Sequence, residues 1–122
     1  MKDFLLVLRD HEQRWDSFSP EELQGIVARY TEWNDAMRRR GQLAGAGKLT
    51  GERGATVRKA GDLPHVDGPY AEAKEAIAGY YHVRAETLEA ACDIAGGCPI
   101  LDYGGSVEVR ELAGVLSEDR AG

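Results

Sequence analysis

The chain is short of cysteine, histidine and basic charge, and it has no long apolar run; each shortage closes off a class of function. A net charge of −6 argues against nucleic acid as a partner, because neutralising phosphates needs a basic face. The basic run Arg38-Arg39-Arg40 falls where a helix should end, and there it complements the helix dipole. The apolar run Phe4–Leu8 falls far below the ~18 residues of a membrane span, so no membrane partner is expected. It is also too short for the core of a signal peptide, and a cytoplasmic protein is the expectation. Cys92 and Cys98 have the wrong spacing and no neighbouring histidine for a zinc site, and buried free thiols are expected. His11, His65 and His82 show no helical pairing, so no metal is expected, and the chemistry considered below needs no cofactor.

At 122 residues the chain makes one domain, read as residues 1–112, followed by a polar tail at 113–122. Phe4–Leu8 reads as a strand buried on both faces. Arg9–Phe18 reads as a polar connection containing His11 and Trp15. Ser19, Pro20 and Glu22 form a helix start with a capping box. Leu23, Ile26, Val27, Tyr30, Trp33 and Met37 then recur at helical spacing until Gly41 ends the helix. Leu43–Thr50 reads as a glycine-rich strand; its Gly47-Lys48 lacks the glycine four residues upstream and the Ser or Thr downstream that a phosphate loop needs. Ala55–Lys59 and Leu63–Val66 form a hairpin around Gly61-Asp62. Ala78–Arg84 is a strand with Gly79, Tyr81 and Val83 on one face and Tyr80, His82 and Arg84 on the other. Glu86–Gly96 is a helix with Leu88, Ala91, Cys92 and Ala95 as its apolar stripe, and Gly105–Leu112 is the last strand.

This order predicts an α+β, ferredoxin-like βαββαβ pattern with an inserted hairpin. Two helices cover one face of such a sheet, while the first strand is apolar on both. The expectation is therefore that a second copy covers the open face in a two-fold homodimer.

Chemistry concentrates at residues 66–81. Asp67 sits on a Gly-Pro turn; Glu72, Lys74 and the tyrosine pair Tyr80-Tyr81 follow. Asp67 is the candidate general base, its pKa raised if aromatic walls desolvate it. Glu72 and Lys74 can flank the same cavity, with Lys74 neutralising an enolate-like charge. Tyr81 is the candidate donor to a carbonyl. Tyr70, Tyr80, Trp33 and His65 are candidate substrate contacts. The structural alternative is the simpler one: Asp67 caps an Asx-type turn, Glu72 and Lys74 are a solvated pair, and the tyrosines are core.

With Asp67-Gly68-Pro69-Tyr70, Glu72-x-Lys74-Glu75, Gly79-Tyr80-Tyr81, Cys98-Pro99 and Gly105–Arg110 taken together, the chain resembles the YCII-related family, and within it the DGPF-domain proteins. The family pattern has Phe where this chain has Tyr70, and usually Thr where it has Ala73. The resemblance implies a dimeric α/β barrel related to muconolactone isomerases and cofactor-independent monooxygenases. More distant YCII proteins pair a helix-one histidine with an aspartate; here Tyr30 and Trp33 occupy the comparable region, and that mechanism does not transfer. The resemblance also implies a genetic association with extracytoplasmic-function sigma factors. Two readings stand side by side. One is a cofactor-independent enzyme doing acid/base chemistry next to a carbonyl, of isomerase or lactone type. The other is a non-enzymatic module that binds a small ligand or serves a sigma-factor system.

Overall fold

The computed structural model describes residues 1–11, 17–50, 54–67 and 75–115. The elements run β1 (Lys2–His11), α1 (Pro20–Arg39), β2 (Leu43–Lys48), β3 (Thr56–Ala60), β4 (Leu63–Asp67), β5 (Glu75–Ala85), α2 (Leu88–Ala95), a 3₁₀ helix (Pro99–Tyr103) and β6 (Ser106–Glu111). Four strands pair in the order β2-β5-β1-β6, and β3 and β4 form a separate two-stranded sheet. All the pairings are antiparallel.

β1 alternates strictly. Phe4, Leu6, Leu8 and Asp10 are buried; Leu5, Val7 and Arg9 are half-buried. The register places Leu6 opposite Tyr81 and Val109, and Leu8 opposite Gly79 and Val107, so the inner face is apolar across three strands. Met37 of α1, Ala91 and Ala95 of α2, Cys98 and Ile100 complete this core. The chain passes closely here. Gly79 allows the β2 backbone to approach, since a Cβ on it would lie 2.7 Å from the Gly47 carbonyl oxygen.

Local chemistry sets the helix ends. Ser19 Oγ accepts from the Glu22 N–H and the Glu22 carboxylate accepts from the Ser19 N–H, which closes the expected capping box. Gly41, at φ +69°, takes the left-handed conformation that ends α1. The second helix starts later than expected, at Leu88, because the Thr87 hydroxyl accepts from the Ala90 N–H and caps it there.

The sheets are open, which corrects the expected ferredoxin-like dimeric α/β barrel: the architecture is a mixed α/β fold with two open sheets. Among the described residues, β2 and β6 each have one strand neighbour. Four strands are also too few to curl shut on themselves. The homodimer expectation is not supported either: on the second face of β1 the apolar residues are only Leu5 and Val7, and both are already half-buried among neighbours of the same chain. Leu5 lies between His82 and Arg110, and Val7 between Tyr80 and Glu108. Around them Asp3 accepts from His82 Nε2 at 2.7 Å, and Glu108 accepts from Arg9 at 3.2 Å and Arg110 at 3.1 Å.

Three smaller expectations also change. Val27 lies on the exposed side of α1, 63% accessible. Cys92 is exposed while Cys98 is buried. Leu88 is exposed at the start of α2. Among the described residues no helix is long and apolar enough to cross a membrane.

Candidate functional site

The strongest concentration of buried polar groups lies between the inner face of the sheet and α1. Asp10, only 3% accessible, is carried there by the alternation of β1. Tyr30 and Trp33 project from α1, on the stripe that also buries Ile26 and Met37. Tyr81 projects from β5, 8% accessible, and Cys98 from the exit of α2.

The aromatic rings brace one another. Trp33 meets Tyr81 edge-on with ring centres 4.6 Å apart, and Tyr30 at 6.3 Å. The indole Nε1–H donates to the Ile94 carbonyl at 3.1 Å, which ties the ring to α2. Gly97 leaves room for it, since a Cβ there would lie 3.0 Å from the indole. The Cys98 thiol faces the Tyr30 hydroxyl at 4.0 Å. The 3₁₀ helix beyond Cys98 is clamped to α1 from outside: Arg29 pairs with Asp102, donates to Tyr103 Oη at 2.7 Å and stacks over the Tyr103 ring.

Electrostatics keep the hydroxyls and the thiol protonated. Burial pushes the Tyr30 phenol well above its ordinary range, and Cys98, Tyr81 and the Asp10 carboxylate push it further. Burial also raises Tyr81; the Asn34 amide and Arg38 act in the opposite direction. Cys98 is raised by burial, against hydrogen bonds from the Ile100 backbone and Tyr30. The site thus sets one carboxylate against three neutral proton donors. Such a set can accept a proton at one point and hold a developing oxyanion at another.

The fold brings together two of the residues proposed from sequence, Trp33 and Tyr81. Tyr80 projects to the opposite face, 41% accessible, with its ring over Gly47. His65 lies exposed on β4, opposite Arg58. Asp67 is the last residue of β4, paired through its backbone with Thr56. The Asp67 side chain and the whole of Tyr70, Glu72 and Lys74 lie outside the described residues.

Asp10, Tyr30 and Cys98 were not among the site residues proposed from sequence. In the sequence Asp10 falls in a polar connection, because Arg9–Arg14 is polar throughout and hides any alternation. A signal was nevertheless present: continuing the period of two from Phe4, Leu6 and Leu8 lands on Asp10. Among the described residues, no group of three or more His, Cys, Asp or Glu side chains comes together as a metal site would need.

No curated protein matches the chain at a significant level. A family model, that of the YCII-related domain, matches residues 3–114. The match runs from the first residues of β1 past the end of β6, and so takes in every element that builds the site. The chain belongs to the YCII-related domain family.

Proposed function

We propose that the protein is a cofactor-independent enzyme that moves a proton next to a carbonyl group, as an isomerase or a lactone-forming enzyme does. One observation carries the reading: an aspartate only 3% accessible, Asp10, shares the buried face of β1 with Leu6, which pairs with Tyr81, on the face of the sheet that α1 covers. In this reading Asp10 takes a proton from the carbon beside the carbonyl. Tyr30 donates a hydrogen bond to the enolate oxygen that forms, and Asp10 returns the proton to the same or a neighbouring carbon. Tyr81 and Trp33 wall the site. Asp67, Glu72 and Lys74 remain proposed contributors from the motif that suggests the DGPF branch of the family.

The test is exchange of α-protons for deuterium, followed by NMR over a panel of simple ketones and lactones. The wild type exchanges at least one of them. Asp10→Asn abolishes exchange while keeping the circular dichroism of the wild type, and Tyr30→Phe slows it by roughly a hundredfold, the usual cost of an oxyanion donor. Asp67→Asn tests the second motif in the same assay. Saturable binding without exchange favours the alternative, a non-enzymatic ligand-binding or regulatory module serving a sigma-factor system. We also propose a cytoplasmic setting, which two free cysteines support.

A further inference from the structure

We infer that a β-bulge at Ala78 serves Asp10: it turns Ile77 away from the face of the carboxylate and makes Ala76 a positioning residue for the proton transfer. The role of Asp10 rests on the reading above, and the bulge rests on the register of β1 and β5.

The two strands pair residue for residue from Lys2 and Ala85 to Leu8 and Gly79. The count then slips. Arg9 pairs with Ile77, so Ala78 is an extra residue on β5, and Asp10 pairs with Ala76. Burial follows the slip. Gly79 is buried, and its neighbour Ala78 is half-buried and packs against the same core, whereas Ile77 is 40% accessible. The Leu49 N–H donates to the Ala78 carbonyl at 2.9 Å, which ties the extra residue to the chain leaving β2.

An unbroken count from Leu8 and Gly79 would set Ala78 opposite Arg9 and Ile77 opposite Asp10. Residues directly opposite share a face, with Cβ atoms about 4.5–5.5 Å apart. A branched side chain would then crowd the carboxylate from the neighbouring strand. The slip exchanges that isoleucine for an alanine and sends Ile77 to the other face. Bulges beside sites re-aim side chains in this way. Strand propensity gives no reason for alanine at position 76, since β-branched residues suit a strand better.

That difference supplies the test. Ala76→Val, Ala76→Gly and Ile77→Ala are made in the full chain. The Asp10 carboxyl carbon is followed by ¹³C NMR, and deuterium exchange is measured over the same ketones and lactones. Ala76→Val is expected to move the Asp10 resonance and to slow exchange by about a hundredfold, the cost of a misplaced catalytic group. Urea unfolding should show it no less stable than the wild type. Ala76→Gly weakens the strand yet keeps the resonance and the exchange, and Ile77→Ala leaves both unchanged. Ala76→Cys, a smaller enlargement, serves where the valine variant does not fold. An Asp10 resonance that ignores the larger side chains, an equal response to Ile77→Ala, or exchange lost only in proportion to stability overturns the inference. Exchange that Ala76→Val does not slow overturns it too, and leaves the proton-transfer reading standing. If the resonances follow the expected pattern while the wild type exchanges nothing, the proton-transfer reading fails and the hold of the bulge on Asp10 stands.

Discussion

Gly105 joins the 3₁₀ helix to β6 at a point where nothing larger fits. A Cβ there would lie 2.6 Å from Ile100 Cγ1 and 2.7 Å from the Arg9 carbonyl oxygen, where ordinary contacts begin at 3.4 Å. Something must therefore yield by about 0.7 to 0.8 Å (3.4 less 2.7, and 3.4 less 2.6) in Gly105→Ala. Ile100 is fully buried and has no room to swing outward, and the Arg9 oxygen belongs to a central strand. Overpacking of this kind costs about 1–3 kcal/mol, while replacing glycine returns about 0.4–1 kcal/mol through the unfolded chain. The net loss is about 1–2 kcal/mol, a fall in Tm of roughly 4–10 °C for a domain of this size. Gly47→Ala provides the contrast. Its clash, 2.6–2.9 Å, is with the ring of the half-exposed Tyr80, which can rotate away, so the change stays within about 0.5 kcal/mol. Thermal and urea unfolding followed by circular dichroism measure both. A Gly105→Ala protein as stable as the wild type, or a Gly47→Ala protein that is the worse of the two, would refute the steric reasoning. Because the Arg9 carbonyl adjoins Asp10, Gly105→Ala should also disturb the site more than its stability loss alone implies.

Three further outcomes are expected. A thiol reagent should label Cys92 quickly, and Cys98 only when the protein unfolds, because Cys98 is buried and its pKa is raised by that burial; equal labelling rates in the native state would contradict this. Asp3 has its pKa lowered first by the hydrogen bond to His82 and further by Arg84. Its contribution to stability is therefore complete above its unfolded value of 3.8 and is lost as pH falls through the lower folded value. The stability gap between wild type and Asp3→Asn should narrow only below about pH 4 in acid titrations, and a gap that closes between pH 5 and 7 counts against the assignment. Ser19→Ala removes half of the capping box and should cost about 1 kcal/mol in urea unfolding, with Ser19→Gly costing less.

Much of the local structure was legible in the residues because the signals were short-range. Ser19 and Glu22 mark the first helix start, and Gly61-Asp62 marks the hairpin turn, with Gly61 at φ +69°. The two faces of β5 follow from simple alternation, and they separate Tyr80 from Tyr81 as expected. What escaped was set by distant partners. Thr87 looks like any threonine until Ala90 is seen to donate to it, and Pro99–Tyr103 gives no helical period long enough to read. Closure of the sheet is a property of strand number and edge pairing, neither of which a pattern of residues states. At the site, Trp33 and Tyr81 were legible as aromatic walls. Asp10 was not, because an inward-facing carboxylate breaks the very rule of apolar alternation by which inward faces are recognised.

The open sheet leaves two rims on which backbone N–H and C=O groups face outward, a standing template for another extended chain to add to. The protein meets that hazard differently on the two sides. β6 carries Glu108, Arg110 and Glu111 along six residues, so an incoming strand meets charges of both signs. β2 is just as short and ends in Lys48, and its Gly45 and Gly47 present no side chains for an intruder to pack on. Among the described residues the two margins are thus only six residues long, and swapping these edge residues for β-branched ones should invite edge-to-edge association without altering the core.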